Sequence, residues 1–147
     1  MNDPMIKEME AAYATVGELK DSTHEKRVEA TSRAVQKYFP AGMKKEEAFK
    51  LLRQLKERGF EISETRYDGG RAWPDGEFKP YLGEVGRLTH QRRYPKGMSE
   101  FLATKKYATH FSIKMLFVTK HVAISFRVDD DSGVVSESKG SLSASGI

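Results

Sequence analysis

The sequence predicts an α+β domain in which N-terminal helices pack on one face of a small antiparallel sheet, an αα-βββ-like core with a long basic insertion. Apolar residues recur with helical spacing in the first 58 residues and alternate in strand-like fashion over 110–128. Six glycines and three prolines interrupt residues 68–108 between these regions. Helices followed by antiparallel strands are typical of an α+β domain.

Length and composition predict a single domain over residues 1–147, with 31% charged residues. The apolar runs are too short to cross a bilayer, so no membrane span is expected. Because the chain contains no cysteine, disulfides, thiolate metal sites and cysteine nucleophiles are excluded.

The first two helices are predicted over residues 3–20 and 23–38. An apolar stripe along the first helix packs on its own domain or docks on a partner. The second helix begins after Ser22, which lies three residues before Glu25 in a capping-box pattern. Pro40 ends it, because the residue before a proline is displaced from helical geometry.

The third helix is predicted over residues 44–58. Gly59 is placed for a left-handed C-cap, and Phe60 for the apolar contact that accompanies such a cap. A strand follows over 60–65. The stripe of this helix consists of Ala48, Leu51, Leu52 and Leu55.

Residues 68–108 are predicted to be a basic, Gly/Pro-rich insertion. Forty residues without secondary structure are unusual in a small domain. We therefore expect a short strand near 84–90 and a helical turn at 98–104.

The clearest strand pattern lies near the C-terminus. Odd-numbered residues are apolar over 110–117 and even-numbered residues over 122–128. A hairpin turning at Thr119 and Lys120, by a two- or four-residue loop, would pair residues whose numbers sum to 239 and place all apolar residues on one face. A turn at 129–133 and a third strand over 134–138 follow, and residues 140–147 are expected to be a flexible tail.

Charge is unevenly distributed along the chain. The formal net charge is +4, and residues 66–107, with nine cations and five acids, account for all of it. The excess therefore belongs to the middle of the chain.

No motif predicts catalysis, a metal site or a cofactor. The four histidines lack metal-ligand spacing, and His110 and His121 are not expected to be cross-strand neighbours. The acidic run at 129–133 lacks the glycine and glutamate positions of a calcium loop and is interpreted as a turn. Glu61 and Glu64 are expected to be solvated on a strand. The chain is therefore predicted not to be an enzyme.

The insertion carries the candidate binding residues. Cations are interleaved with aromatic side chains there. This pattern is compatible with binding to an acidic protein partner, with binding to nucleic acid, or with an insertion that is only solvated. We expect a partner-binding site that uses Arg71, Trp73, Tyr81, Arg92, Arg93 and Tyr94.

The run from Phe39 to Leu52, Phe-Pro-Ala-Gly-Met-Lys-Lys-Glu-Glu-Ala-Phe-Lys-Leu-Leu, with Gly59-Phe60 beyond it, resembles the opening of BamE-like (SmpA/OmlA) small bacterial envelope domains. The strands predicted over 110–138 fit the order of these domains, in which two helices precede a three-stranded sheet. The resemblance implies a non-enzymatic protein-binding module, most concretely an immunity or inhibitor protein that occludes a toxin or envelope protein.

The chain departs from this pattern in its long insertion and in having neither a leader-like apolar stretch nor a lipid-anchoring cysteine at its N-terminus. We expect the periplasm or cell envelope if a leader has been removed, and the cytoplasm if Met1 is the native start. The alternative function is nucleic-acid binding by the basic insertion.

Overall fold

In the described part of the chain, three helices precede four strands, which confirms the predicted α+β class. The computed structural model describes residues 4–17, 20–21, 23–66, 97–111 and 116–146. Helix α1 spans Pro4–Gly17, α2 spans His24–Tyr38 and α3 spans Lys45–Glu57. These bounds lie within a few residues of those predicted from the apolar stripes.

The ends of α2 and α3 follow from local chemistry. The Thr23 hydroxyl accepts a hydrogen bond from the Lys26 amide (3.2 Å), so the N-cap of α2 is Thr23. Ser22, the predicted cap, lies outside the described residues. At the end of α3, Gly59 has φ +95°, and the amides of Gly59 and Phe60 donate to the carbonyls of Lys56 and Leu55. The left-handed C-cap predicted at Gly59 is thus confirmed, and this pair of bonds makes it a Schellman motif.

The sheet is an antiparallel meander in the order β1-β2-β3-β4. Its first strand agrees with the prediction, most of its second was not predicted as a strand, and the third and fourth are longer than predicted. The strands span Glu61–Arg66 (β1), Met98–Phe111 (β2), Leu116–Asp129 (β3) and Val134–Gly146 (β4).

The predicted central hairpin and helical turn are wrong. Residues 98–104, predicted as a helical turn, are the first half of β2, and 98–108 therefore belong to the sheet rather than to an insertion. β3 runs through Thr119 and Lys120 without turning. It pairs with β2 in a register whose residue numbers sum to 227, so that Phe101 faces Phe126. Residues 84–90, the other predicted element, lie outside the described residues.

The predicted flexible tail is also wrong over 140–146, because these residues continue β4. A bulge at Ser136 separates the pair Val128–Val135 from the pair Arg127–Glu137. The third strand predicted at 134–138 is thus only the start of a strand that pairs along β3.

The helices cover one face of the sheet, where a chain of aromatic rings forms the centre of the core. Phe39 stacks on Phe126 (4.9 Å between centroids), Phe126 lies 5.2 Å from Phe101, and Phe101 meets Phe49 edge-on at 5.1 Å. Each such contact contributes about 0.5–1.5 kcal/mol beyond burial. The rings link α2, β3, β2 and α3 in one core.

A polar seam joins α2 to β4. The Thr31 hydroxyl donates to the Gly140 carbonyl (2.6 Å), and the Gly140 amide donates to the Ser32 hydroxyl (3.1 Å). The Gln36 amide group donates to the Ser138 carbonyl (3.2 Å). These side chains satisfy backbone groups on the outer edge of β4, and the helix thereby covers that edge.

Candidate functional site

All six predicted partner-binding residues lie between 67 and 96, outside the described residues. The residues that flank this segment are described: Arg66 of β1 is the register partner of Ser99 of β2. The Asp130 amide donates to the Gly97 carbonyl (2.7 Å). The segment is therefore connected to the sheet at the end where the acidic turn 129–133 lies.

The structure changes the assignment of the basic charge. Of the predicted basic stretch 66–107, Arg66, Glu100, Lys105 and Lys106 lie on strands, and the undescribed 67–96 holds six cations and four acids. Positive charge is separated from negative charge more clearly in residues 101–128, which include most of β2 and β3. This stretch contains five lysines and arginines and no acid.

On one side, the β2–β3 hairpin extends past its neighbour β1, whereas on the other side β4 runs beside β3 as far as Val118. β1 begins at Glu61, opposite Thr104, whereas β2 continues to Phe111. On β3, the residues that enter the core begin at Val122. We call the projecting part, Lys105–Phe111 with Leu116–His121, the basic arm.

A polar depression lies where the basic arm leaves β1. The Lys105 ammonium donates to the carbonyl of Arg58 (2.7 Å) and lies 5.7 Å from the centroid of the Phe60 ring. The carboxyl-terminal end of α3 and the ring face both favour a cation, so Lys105 is held in place. The depression is lined by Gly59, Glu61, Thr104, Lys105 and Lys106.

Lys106 and Lys120 extend the positive charge along the arm. Lys106 is exposed and lies opposite His121 in the register, and Lys120 lies opposite Tyr107. Lys105 is one residue from Lys106, so the two lysines project from opposite faces of the same strand. A negatively charged partner can therefore meet a cation on either face.

The direction of the backbone groups in the arm follows from contacts elsewhere in the sheet. The N–H and C=O of Gly140 bond to α2 and so point away from β3, which means that its partner Ile124 points toward β2. Ile124 faces Ala103, whose groups must therefore point toward β3. Since directions alternate along a strand, the groups that point toward the β1 side belong to Thr104, Lys106, Ala108 and His110.

Within the described residues, no strand lies beside the arm on that side, because β1 ends its pairing at Thr104. The arm thus offers a row of backbone donors and acceptors flanked by lysines. Sequence reasoning missed this site, although the absence of any acid from 101 to 128 was readable in the sequence.

The other candidate positions have structural roles. The Asp129 carboxylate accepts from the amides of Asp131 (2.9 Å) and Ser132 (3.4 Å), which confirms that the acidic run is a turn. His110 faces Phe117 and His121 faces Lys106, so the two histidines are not register partners, as predicted. Glu64 is only 1% exposed, and its predicted solvation is wrong, because its strand partner Phe101 lies in the core.

Searches of the described part of the chain found no group of three or more His, Asp or Glu side chains that could hold a metal ion. They also found no helix long and apolar enough to span a bilayer. No family model, curated protein or solved structure matches this chain. The resemblance to BamE-like domains therefore stays a prediction.

Proposed function

We propose that the protein is a non-enzymatic binding module that holds an acidic surface of a partner protein on its basic arm. The observation that carries this proposal is the run of 28 residues, 101–128, which contains five cations and no acid. Three of these cations, Lys105, Lys106 and Lys120, lie on the arm, and Arg127 lies further along β3, where it pairs with Glu137 (3.3 Å). Complementary charge speeds the encounter with an acidic partner and selects against basic ones.

The way the arm is held supports the same proposal. The base of the arm belongs to the sheet that packs against the three helices. Lys105 is held by its hydrogen bond to the Arg58 carbonyl and by its contact with the Phe60 ring. A preorganised contact loses less conformational entropy on binding than a mobile one. The way in which Lys105 is held therefore favours recognition of the partner by a surface that is already in its binding conformation.

The insertion remains a second contact in this proposal, through Arg71, Trp73, Tyr81, Arg92, Arg93 and Tyr94. The immunity or inhibitor version of the function, and a location in the bacterial envelope, rest on the resemblance to BamE-like domains. In that version the partner's functional surface is occluded by the bound module.

Charge reversal on the arm tests the proposal. The immobilised chain captures partners from nuclease-treated and untreated lysate of its source, alongside a Lys106→Glu/Lys120→Glu variant. Lys37→Glu/Lys50→Glu is the matched control, because these two exposed helical lysines give the same change in net charge. We expect the arm variant to bind a captured protein partner at least about tenfold more weakly, and the control to bind normally.

Thermal unfolding of the arm variant should stay within about 0.5 kcal/mol of the parent chain, since Lys106 is exposed and Lys120 is only half-buried. The control variant also loses the exposed Lys37–Glu8 ion pair (3.7 Å), which should cost at most about 1 kcal/mol. Equal loss of binding in both variants would show that only net charge matters and would contradict a site on the arm. Unchanged binding in the arm variant would contradict it as well.

A separate variant, Arg92→Glu/Arg93→Glu, tests the insertion. We expect weaker partner binding with nearly unchanged thermal stability, because reversing two cations opposes an acidic partner surface. The measurement is the partner's Kd and the Tm of the variant. An unchanged Kd would remove these arginines from the interface.

Nucleic acid is the second candidate partner, because lysines on a projecting hairpin also neutralise phosphates. If nucleic acid is the partner, nuclease treatment of the lysate should abolish the capture of partners, and the affinity for DNA or RNA should fall steeply with salt concentration. Protein capture that survives nuclease, together with no DNA or RNA shift at low salt, would exclude it.

A further inference from the structure

The edge of β2 that extends beyond β1 has backbone groups directed away from β3. The N–H and C=O groups of Lys106, Ala108 and His110 point toward the side where β1 no longer runs. Among the described residues, no strand pairs with these groups, and a row of edge groups in this arrangement is a template for another extended chain. The edge from Lys105 to Phe111 is about 23 Å long at the usual rise per residue.

Charge selects the occupant of this edge. Pairing two copies edge to edge would bring two cationic strands together with no acid between residues 101 and 128 to offset them, and in a parallel register Lys105 and Lys106 would face their own counterparts. Like charges placed opposite each other on paired strands are destabilising. The same lysines attract an extended segment that carries carboxylates.

The depression at the start of the edge can bind one such carboxylate. An ammonium group has three donors, and Lys105 uses one of them on the Arg58 carbonyl. Exposed Lys106 lies on the same wall, next to Thr104. An acidic side chain at the end of the added strand would therefore meet Lys105 or Lys106, according to the face from which it projects, beside Glu61, which also lines the depression.

We propose that an acidic, extended segment of the partner adds to the sheet as a fifth strand along Lys105–Phe111 and continues the line of β1. This inference rests on the proposed function and names the form in which the partner is recognised. The main-chain bonds supply affinity, and the lysines on both faces supply selectivity.

The test uses the full chain labelled with ¹⁵N and three peptides of alternating glutamate and valine, each long enough to cover the edge. One peptide is unmodified, one is N-methylated on every second amide, and one is N-methylated on all amides. The second keeps one hydrogen-bonding edge and the third keeps none, while all three carry the same charge.

We expect the first two peptides to bind and to slow amide exchange at Lys106, Ala108 and His110. Exchange at Tyr107 and Thr109 should change little, because their amides already point toward β3. The fully methylated peptide should bind at least about tenfold more weakly, because it cannot form the ladder.

Equal binding of all three peptides, no binding of the unmodified peptide, or protection without this alternation would overturn strand addition. None of these results affects the charge-reversal outcome with the captured partner, so the proposed function would be judged separately. A lysine-valine peptide that bound as well as the glutamate-valine peptide would also overturn the inference.

Discussion

Gly140 shows how one residue sets the distance between a helix and a strand. A Cβ at this position would lie 2.3 Å from Val35 Cγ2 and 2.9 Å from Met9 Cε, closer than side-chain atoms can pack. The absence of a side chain lets Thr31 and Ser32 reach the Gly140 backbone. α2 and β4 can therefore pack so closely that side chains of the helix form hydrogen bonds with the backbone of the strand.

Gly140→Ala should destabilise the protein by about 1–3 kcal/mol, because the added methyl overpacks the seam between α2 and β4. Urea unfolding measures the effect, with Ser143→Ala as the control at an exposed position of the same strand. Equal stability of the two variants would contradict the assigned role of Gly140.

The prediction of residues 140–147 as a tail failed for a reason visible at this residue. Glycine and serine resemble loop residues in a sequence, but here Gly140 is required because a helix bonds directly to the backbone of the strand at this residue. A local pattern contains no information about that distant contact, which joins residues more than 100 positions apart.

Among the elements, α3 was the most predictable, because each of its signals is local. Its apolar stripe, its first-turn acids Glu46 and Glu47, and the glycine after its last turn all agree on one helix. The observed Lys45–Glu57 lies within one residue of the prediction at each end.

Substitution of Gly59 tests the C-cap of α3. Gly59→Ala should cost about 1 kcal/mol, because alanine is strained at φ +95°, and Gly59→Asn should cost less, because asparagine tolerates positive φ. At this chain length the alanine variant should lose a few degrees in Tm. The order Gly, Asn, Ala in thermal stability is the expected result, and equal values would contradict it.

The β2–β3 hairpin was the least predictable pair of elements. The apolar alternation changes phase between Phe117 and Val122, which the sequence analysis interpreted as a turn. The strand instead continues straight, and its helix-facing core residues begin at Val122. The change in phase therefore marks the point on β3 where the helix-covered core begins. Periodicity alone does not distinguish such a point from a turn.

For the whole molecule, the fold class was predictable and the position of the site was not. Helices on one face of a meander follow from element order. The site depends on the offset between β1, which stops pairing at Thr104, and β2, which continues to Phe111. That offset depends on the register between the strands, and the register predicted from the sequence was wrong.

The molecule combines a helix-covered core with a β2–β3 hairpin whose β2 edge extends beyond β1 and carries lysines. Charge reversal, peptide addition and salt dependence each address one part of the proposed function. The arm itself can be observed directly in a complex with the captured partner, because its backbone amides alternate between paired and edge-facing positions.

Amide hydrogen exchange of the chain alone and in that complex is the most direct measurement. The proposed function on the arm predicts slower exchange in the complex from Lys106 to His110, strongest at Lys106, Ala108 and His110. Protection confined to the exposed helical face around Lys37 and Lys50, with the arm unchanged, would contradict it.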